Sequence, residues 1–174
     1  MIDLAVIIVT WNVRDLVVPA IQTVLDDMEA SGLVGKVYVV DSASSDDTVA
    51  VIAERFPQVD LYASPDNLGF GRANNHAIQR VMSASELPKA VYLLNPDTLT
   101  KAGATRALYD ALLGQDRVGL VGAQLEYEDG TFQHGAFQFP GLRQLWVELF
   151  PTPGRLSSSS RLSRKRLYEL PAAG

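Results

Sequence analysis

Short apolar runs alternate along the chain with stretches in which apolar residues recur at helical spacing. Four runs have the length and β-branched content of buried strands, at residues 4–9, 37–40, 59–63 and 90–94. The stretches between and after them predict helices over residues 16–32, 46–56, 69–82 and 102–113. Strands that alternate with helices favour an α/β fold, in which helices flank both faces of a mostly parallel sheet.

Local signals refine the bounds of these elements. Asp46 or Asp47 is expected to cap the second helix, and Pro57 to end it. The spacing in the third helix predicts an inward apolar face made of Ala73, Ala77, Ile78 and Val81. A fifth strand is predicted over residues 118–125, followed by a turn over residues 128–131.

The pattern weakens beyond Phe139, where one short helix is predicted over residues 142–150. We therefore divide the chain into a core over residues 1–140 and a loosely structured basic segment over residues 141–174. The segment contains four consecutive serines, at residues 157–160, which are typical of solvated chain.

Polar residues follow each of the four buried strands. In open α/β sheets, ligands bind outside the carboxyl ends of the strands, so these residues are expected to crowd along one edge. Aromatic and amide groups suit a nucleotide base, carboxylates suit a ribose or a metal, and glycine and arginine suit phosphates. The candidate binding residues are Thr10, Trp11, Asn12, Asp41, Asn67, Gly69, Arg72, Asn95 and Asp97.

Each candidate also has a purely structural interpretation. Asp41 and Asp97 are both residues that form turns readily. Gly69 would let the chain enter the third helix tightly, Trp11 would suit a core, and Arg72 would suit an exposed helix surface. The convergence of all four strand ends favours a binding site, because the structural interpretations would have to coincide at one edge.

Other chemistries fit the sequence less well. The Gly69-Phe70-Gly71 segment begins like a dinucleotide fingerprint, but Asn74 replaces its third glycine and the segment follows the third strand rather than the first. His76 and His134 are the only histidines and lack metal-ligand spacing. The nucleophile motif Gly-x-Ser-x-Gly is absent from the sequence.

Composition and charge narrow the setting. The chain has no cysteine, which excludes disulfides and thiolate metal sites and allows a reducing compartment. Its first apolar run is far shorter than the roughly 20 residues of a membrane-spanning helix, and Asp3 stands where a signal peptide would be basic. These features favour a soluble, cytoplasmic protein.

The charge is distributed unevenly. Residues 155–174 contain five basic residues and Glu169, which give this segment a net charge of +4. Because the whole chain has a net charge of −5, residues 1–154 have a net charge of −9. An acidic body argues against nucleic acid as a partner. The basic segment is expected to be solvated, although its charge would also suit phosphate or the anionic inner face of a membrane.

The motifs, in their order along the chain, resemble family 2 glycosyltransferases of the GT-A fold, particularly the rhamnosyltransferase-like branch. The resemblance covers residues 4 to about 140, and each motif alone would be weak. It is carried by Val6-Ile7-Ile8-Val9-Thr10-Trp11-Asn12, Val39-Val40-Asp41-Ser42-Ala43-Ser44-Ser45-Asp46, Asn67-Leu68-Gly69-Phe70-Gly71-Arg72-Ala73-Asn74-Asn75, Leu93-Leu94-Asn95-Pro96-Asp97-Thr98 and Asp129-Gly130.

The resemblance implies a role for each candidate residue. Thr10, Trp11 and Asn12 would lie against the base or ribose, and Asp41 would accept hydrogen bonds from them. The nucleotide–phosphate cleft would be lined by Asn67, Gly69, Arg72 and Asn95. Asp97 corresponds to the last acid of the family's Asp-x-Asp metal motif, whose first acid is here Asn95. The implied cofactor is Mg²⁺ or Mn²⁺, held by one carboxylate together with diphosphate oxygens and waters.

The implied reaction is the inverting transfer of a sugar from a nucleoside-diphosphate sugar to an acceptor hydroxyl. The branch suggests rhamnose, a UDP- or dTDP-type donor and a saccharide or lipid-linked acceptor. Family members carry the general base in a later Glu-Asp pair, which is not found up to Gly174. We therefore expect a donor-binding part of a truncated GT-A fold, with the base beyond Gly174 and an apolar surface prone to self-association. A non-catalytic nucleotide-binding or interaction module is the alternative.

Overall fold

The structure is a computed structural model that describes residues 2–133. Its internal contacts divide the chain into two units, Met1–Gly119 and Leu120–Gly174. The helix predicted over residues 142–150, the core boundary at residue 140 and His134 lie outside the described residues, so these features remain predictions.

The first unit is an α/β layer built around a parallel sheet. Strands and helices alternate as β1 (Leu4–Thr10), α1 (Arg14–Ala30), β2 (Gly35–Asp41), α2 (Thr48–Arg55), β3 (Asp60–Ala63), α3 (Gly69–Met82), β4 (Ala90–Leu94) and α4 (Ala104–Leu113). The strands lie in the order β3-β2-β1-β4, and each neighbouring pair is parallel. The predicted fold class is confirmed, and the predicted bounds of α3 and β4 match the structure.

Side-chain alternation in β1 assigns the helices to two faces of the sheet. Leu4, Val6 and Ile8 belong to one core, which also contains side chains of α1, α2 and α4. Ala5 and Ile7 point the other way, into a smaller core with α3. Because β1 is central and covered on both faces, its sequence is a continuous apolar run rather than an alternating one.

The inward face of α3 follows the predicted spacing. Ala73, Ala77 and Val81 are buried, and Ile78 is partly buried beside them. This face packs on β1 and β2. On the same side of the sheet, Val91 and Leu93 of β4 remain 41% and 50% exposed, so the α3 face of the edge strand is open within the first unit.

Of the two acids predicted to cap α2, Asp46 accepts a hydrogen bond from the start of the helix. Asp47 occupies the N-cap position, but the capping hydrogen bond comes from the preceding residue. The Thr48 backbone N–H donates to Asp46 Oδ1 at 3.1 Å. Hydrogen bonding to Thr48 lowers the pKa of the Asp46 carboxyl below its ordinary value.

The fifth strand predicted over residues 118–125 is wrong. Only Leu125–Glu126 forms a strand, β5, which pairs antiparallel with β6, Phe132–Gln133, in the second unit. An apolar run becomes a strand only where a neighbour pairs with it, and the glycines at 119 and 122 offer no side chains for packing.

The turn predicted between residues 128 and 131 is confirmed. Gly130 has φ +79°, a conformation that glycine adopts without a steric penalty. The Thr131 backbone N–H donates to Asp129 Oδ1 at 2.9 Å, which closes the turn from the side. Across residues 2–133, the helices are all too short or too polar to cross a bilayer.

Candidate functional site at the carboxyl edge of the sheet

The parallel register brings the predicted binding residues to one edge of the sheet. Thr10 is aligned with Asp41, and Asp41 with Ala63, so β1, β2 and β3 end at the same level. Leu94 of β4 is aligned with Ile8, two residues before the end of β1. Thr10 and Asp41 are the last residues of β1 and β2, and the other seven predicted site residues lie in the segments that follow the strands.

Asp41 and Thr10 are the most deeply buried of these residues, each with 1% exposure. The Oδ1 atom of Asp41 accepts hydrogen bonds from Thr10 Oγ1 at 2.9 Å and from Ser44 Oγ at 2.5 Å. Its Oδ2 accepts the Ser44 backbone N–H at 2.8 Å. The carboxylate therefore closes the turn after β2, as the structural interpretation held, and also ties that turn to the end of β1.

A second pair of hydrogen bonds joins the loops after β1 and β2. The Asn12 backbone N–H donates to Ser44 Oγ at 2.8 Å. In return, the Ser45 backbone N–H donates to Asn12 Oδ1 at 2.7 Å. We call Asn12, Asp41, Ser44 and Ser45 the loop clasp. Trp11 lies between Thr10, which is hydrogen-bonded to Asp41, and Asn12, which is hydrogen-bonded to Ser44. Its side chain is nevertheless 56% exposed, so it is not a core residue.

Both loops of the clasp contain strained backbone. Asn12 has φ +52° and Ala43 has φ +62°, and they are the non-glycine residues with positive φ among residues 2–133. Asparagine tolerates this conformation, whereas alanine is held in it at a cost of about 1–2 kcal/mol. Such strain persists where the surroundings hold it and is concentrated at functional sites.

A depression of about 410 Å³ opens beside the clasp, between the start of α1 and the start of α2. Asn12, Arg14, Asp15, Asp46 and Asp47 contribute its polar lining. Arg14 lies 3.5 Å from Asp47 and 3.8 Å from Asp15, and all three side chains are at least half exposed, so both ion pairs are weak.

The segment after β3 forms its own network at the entrance to α3. The Gly69 backbone N–H donates to Asn67 Oδ1 at 2.8 Å, and Gly69 has φ +67°. A Cβ at this position would meet nothing within 4 Å, so the backbone angle, not space, requires the glycine. Arg72 is exposed and donates from Nε to the Leu68 carbonyl at 2.8 Å.

The segment after β4 exposes both of its candidate ligands. Asn95 and Asp97 are exposed on a turn that Thr98 closes, since its N–H and Oγ1 donate to the Asn95 carbonyl at 3.3 and 2.7 Å. No group of three or more His, Asp or Glu side chains able to hold a metal occurs in the described part of the chain. One carboxylate and one amide fit a cation that shares its ligands with a diphosphate, since Mg²⁺ usually keeps several waters.

This exposed turn belongs to a segment that α1 anchors from behind. The Thr100 backbone N–H donates to Thr23 Oγ1 at 3.1 Å. Farther along, the Asp27 carboxylate accepts the backbone N–H groups of Gly103 at 2.5 Å and Thr105 at 2.8 Å. Asp27 is 4% exposed and caps α4 from another helix. The position of Asp97 thus depends on two residues of α1.

Sequence reasoning did not select two of the residues that organise this edge. Ser44 stands inside a quoted motif, but its link to Asn12 spans 32 positions and is invisible locally. Asp27 did leave a signal, because it follows Val24 by three positions on the buried side of α1. A charged residue on an inward helical face is almost always paired or hydrogen-bonded.

A parallel α/β sheet with polar segments gathered at its carboxyl edge belongs to the class of open α/β folds whose ligands bind outside the carboxyl ends of the strands. Residues 5–169 match the model of glycosyl transferase family 2, and the chain belongs to that family. The predicted family and its GT-A fold are thereby confirmed.

Curated relatives and solved structures agree with this assignment. Over 112 residues the chain is 32% identical to N-acetylglucosaminyl-diphospho-decaprenol L-rhamnosyltransferase from two strains of Mycobacterium tuberculosis, an alignment that covers 61% of this chain. The chain spans 36% of the length of these relatives. S. aureus TarS 1-349, alone and in complex with UDP-GlcNAc, superimposes with a TM-score of 0.51 at 19% identity. The match covers 64% of this chain and about a third of TarS, and shows the fold.

Proposed function

We propose that this chain binds a nucleoside-diphosphate sugar and is the donor-binding part of an inverting glycosyltransferase. The observation that carries the proposal is the gathering of four polar segments at the carboxyl edge of the sheet, in a member of glycosyl transferase family 2. At this edge, the aromatic face of Trp11 suits a base, and the N-terminus of α3 with Arg72 suits a diphosphate. The exposed carboxylate of Asp97 suits a divalent cation.

The base and ribose are assigned to the side of the site formed by β1 and β2. Trp11 supplies a large flat surface that is 56% exposed, and stacking of a base on an aromatic ring is worth about 1–3 kcal/mol. Thr10, Asn12 and Asp41 form the hydrogen-bonded floor beside it. A uridine or thymidine diphosphate is the proposed nucleotide.

The diphosphate is assigned to the entrance of α3. The first backbone N–H groups of a helix and its dipole favour an anion, and the glycine at 69 lets the chain turn closely there. Arg72 adds a positive charge at the same end. Its guanidinium uses Nε and Nη2 on the carbonyls of Leu68 and Asn67, which leaves donors on Nη1 for phosphate oxygens.

Asn95 and Asp97 are proposed to hold Mg²⁺ or Mn²⁺ together with the diphosphate. When bound, the cation supplies positive charge that stabilises the diphosphate as it leaves the sugar. An acceptor hydroxyl would attack the anomeric carbon from the opposite face as the sugar–diphosphate bond breaks, and a carboxylate would take its proton. We assign that base to a part of the protein outside residues 2–133.

The rhamnosyltransferase from Mycobacterium tuberculosis suggests the finer substrate class. Its name describes transfer of L-rhamnose to a diphospho-polyprenol carrying N-acetylglucosamine. We propose rhamnose as the sugar and a saccharide or lipid-linked acceptor for the protein to which this chain belongs. The basic residues 155–174 would then lie near an anionic membrane surface, where each Lys or Arg contributes about 1 kcal/mol.

Calorimetric titration of UDP and dTDP, with and without Mn²⁺, tests this assignment. The wild-type chain should bind at least one of them, and Mn²⁺ should increase the affinity. Asp97→Ala should remove most of the increase, about tenfold or 1.4 kcal/mol, because one of few cation ligands is lost. Asp116→Ala, which removes another exposed acid beyond α4, is the matched control. An Asp97→Ala chain whose affinity still rises fully with Mn²⁺ would exclude Asp97 from the metal site.

A further inference from the structure

The turn that carries Asn95 and Asp97 is fixed by regular structure at its start only. β4 ends at Leu94, and the pairing of this strand with β1 fixes the point from which the turn departs. After the turn, residues 98–103 contain no helix or strand, and α4 begins at Ala104. The position of Asp97 therefore depends on the hydrogen bonds that residues 98–103 make.

The hydrogen bonds inside the turn are local. The N–H and Oγ1 of Thr98 donate to the Asn95 carbonyl at 3.3 and 2.7 Å, which closes the turn without attaching it to another element. Three residues after Asp97, the Thr100 backbone N–H donates to Thr23 Oγ1 of α1 at 3.1 Å. This bond attaches the chain beyond the turn to a helix that packs on the sheet.

Thr23 can accept this bond because its own hydrogen is used within α1. Its Oγ1 donates to the Pro19 carbonyl at 2.9 Å and lies 3.2 Å from the Ala20 carbonyl, which shares the same hydrogen. A hydroxyl has one donor hydrogen and two lone pairs, so the lone pairs remain for the Thr100 N–H. The backbone of α1 thus sets the direction from which the Thr23 hydroxyl accepts.

Thr23 and Asp27 hold different parts of the segment that follows Asp97. They are four residues apart and therefore lie on the same side of α1. Asp27 is 4% exposed and accepts the N–H groups at the start of α4, whereas Thr23 is only partly buried and accepts the N–H nearer to Asp97. A change at Asp27 disturbs the fold together with the turn, so a change at Thr23 tests the turn more directly.

We propose that Thr23 is a positioning residue for the proposed cation site, and that its hydroxyl makes this site select Mg²⁺ over Ca²⁺. The inference deepens the proposed function and rests on it. Mg²⁺ requires near-ideal octahedral coordination at about 2.0–2.1 Å, whereas Ca²⁺ accepts irregular coordination at about 2.3–2.6 Å. A turn attached through Thr100 presents Asp97 in one place, which suits the smaller ion, and a loosened turn still suits the larger one.

Calorimetric titration of UDP or dTDP, whichever the wild-type chain binds, in Mg²⁺, in Ca²⁺ and without metal tests the proposal. Thr23→Val keeps the shape of the side chain but removes the hydroxyl. It should reduce the gain in affinity from Mg²⁺ by about three- to tenfold, the worth of about one hydrogen bond, and leave the Ca²⁺ gain and the metal-free affinity within about twofold of the wild type. Thr23→Ser, which keeps the hydroxyl, should recover the Mg²⁺ gain.

Thr105→Val is the matched control. Thr105 is 1% exposed and its backbone N–H also bonds to α1, but its Oγ1 has no hydrogen-bond partner among residues 2–133. Removing a buried hydroxyl that lacks a partner should be neutral or stabilising, and the Mg²⁺ gain should stay at the wild-type level. If Thr23→Val fails to fold, Thr23→Ala replaces it, because alanine is the best helix former.

Hydrogen exchange provides a second readout that needs no ligand. The Thr100 amide should lose protection in Thr23→Val relative to Thr105→Val, because its acceptor is gone and the segment opens locally. Amides of the central strand β1 should change much less between the two variants. Thr23→Ser should restore the protection of the Thr100 amide.

The outcomes separate the inference from the function on which it rests. A wild-type Mg²⁺ gain in Thr23→Val, an equal loss of the Mg²⁺ and Ca²⁺ gains, or the same loss in Thr105→Val would overturn the inference and leave nucleotide binding intact. Unchanged exchange of the Thr100 amide in Thr23→Val, or a wild-type gain as large with Ca²⁺ as with Mg²⁺, would also overturn it. If the wild-type chain binds neither nucleotide, or gains nothing from Mg²⁺, the proposed donor or cation site itself fails and the inference falls with it.

Discussion

The two edges of the parallel sheet use acidic residues in different ways. At the amino edge, two acids are paired with cations: Asp3 with Lys89 at 2.8 Å, and Asp60 with Lys36 at 3.0 Å and with Arg80. Burial alone would raise the pKa of Asp60, but Lys36 and Arg80 outweigh it, and the pKa is lowered. These charges cancel locally and tie the starts of strands to their neighbours.

At the carboxyl edge, the buried acid is held by neutral donors instead. Asp41 accepts hydrogen bonds from the hydroxyls of Thr10 and Ser44 and from one backbone N–H. Its formal charge therefore remains uncompensated beside the proposed nucleotide. The cation that Asp97 and Asn95 are proposed to hold would, together with Arg72, offset this charge beside an anionic diphosphate. Asp3 and Asp60 thus stabilise the amino edge through ion pairs, whereas Asp41 organises the loops of the proposed binding site through hydrogen bonds.

The largest expected effect concerns Asp27, another buried acid held by neutral donors. Asp27→Ala removes two hydrogen bonds from a carboxylate to the start of α4, each worth about 1.5–3 kcal/mol when a charged group is involved. We expect the free energy of unfolding to fall by about 3 kcal/mol. The segment that carries Asp97 should also loosen, and the Mn²⁺-dependent part of nucleotide binding should weaken. Urea unfolding and calorimetry measure the two effects.

The neighbouring Asp26→Ala is the control for this change. Asp26 is exposed on α1 and accepts one bond from Gln22 at 2.7 Å, so its removal should alter unfolding by less than about 0.5 kcal/mol. Equal losses in the two variants would contradict the claim that the buried cap anchors the Asp97 segment. A loss of stability without any change in Mn²⁺-dependent binding would restrict Asp27 to the fold.

The elements themselves follow from local sequence because each strand and helix is encoded by its own apolar pattern. The bounds of α3 and β4 could be predicted to the residue, and the segments that reach the carboxyl edge could be predicted from the strand ends. The strand over residues 118–125 could not be corrected from local pattern, because pairing depends on a partner elsewhere in the chain.

The hydrogen bonds within the site could not be predicted from local sequence either, because they join residues that are far apart in the chain. The bond from Thr10 to Asp41 spans 31 positions, and that from Thr105 to Asp27 spans 78. Asp41 was predicted to meet the nucleotide, but no pattern in the sequence shows that two neighbouring hydroxyls bury its carboxylate. Residue types at strand ends predict a place for chemistry, while the hydrogen bonds that fix those residues to one another require coordinates.

A smaller effect on stability is expected at Ala43, the strained residue in the loop after β2. Ala43 has φ +62°, and Ala43→Gly relieves a cost of about 1–2 kcal/mol while adding about 0.5–1 kcal/mol of chain entropy to the unfolded state. The variant should be as stable as the wild type, or more stable by up to about 1.5 kcal/mol. Ala63→Gly at the end of β3 lacks that relief and should destabilise by about 0.5–1 kcal/mol. Thermal unfolding of the pair checks the sign, and an equal loss in both would mean that Ala43 is not strained.

The smallest effect lies at the amino edge and depends on pH. Lys89, the Val34 N–H and Tyr109 lower the pKa of Asp3 from 3.8 to about 2, with the hydrogen bond to Lys89 the largest cause. A lowered pKa stabilises the fold above the unfolded value, near 4, and this contribution is lost as the pH falls towards 2. Asp3→Asn should therefore be less stable than the wild type at pH 7, and the difference should shrink between pH 4 and pH 2. Urea unfolding across that range measures it.

Lys89→Met sharpens the same measurement because it removes the largest cause of the shift. The pKa of Asp3 should rise towards its ordinary value, and the pH dependence of unfolding between pH 4 and pH 2 should become shallower than in the wild type. The Mn²⁺-dependent affinity for nucleotide should stay unchanged in both amino-edge variants, since neither alters the carboxyl edge. A loss of nucleotide affinity in Asp3→Asn at pH 7 would contradict the separation between a stabilising edge and a binding edge.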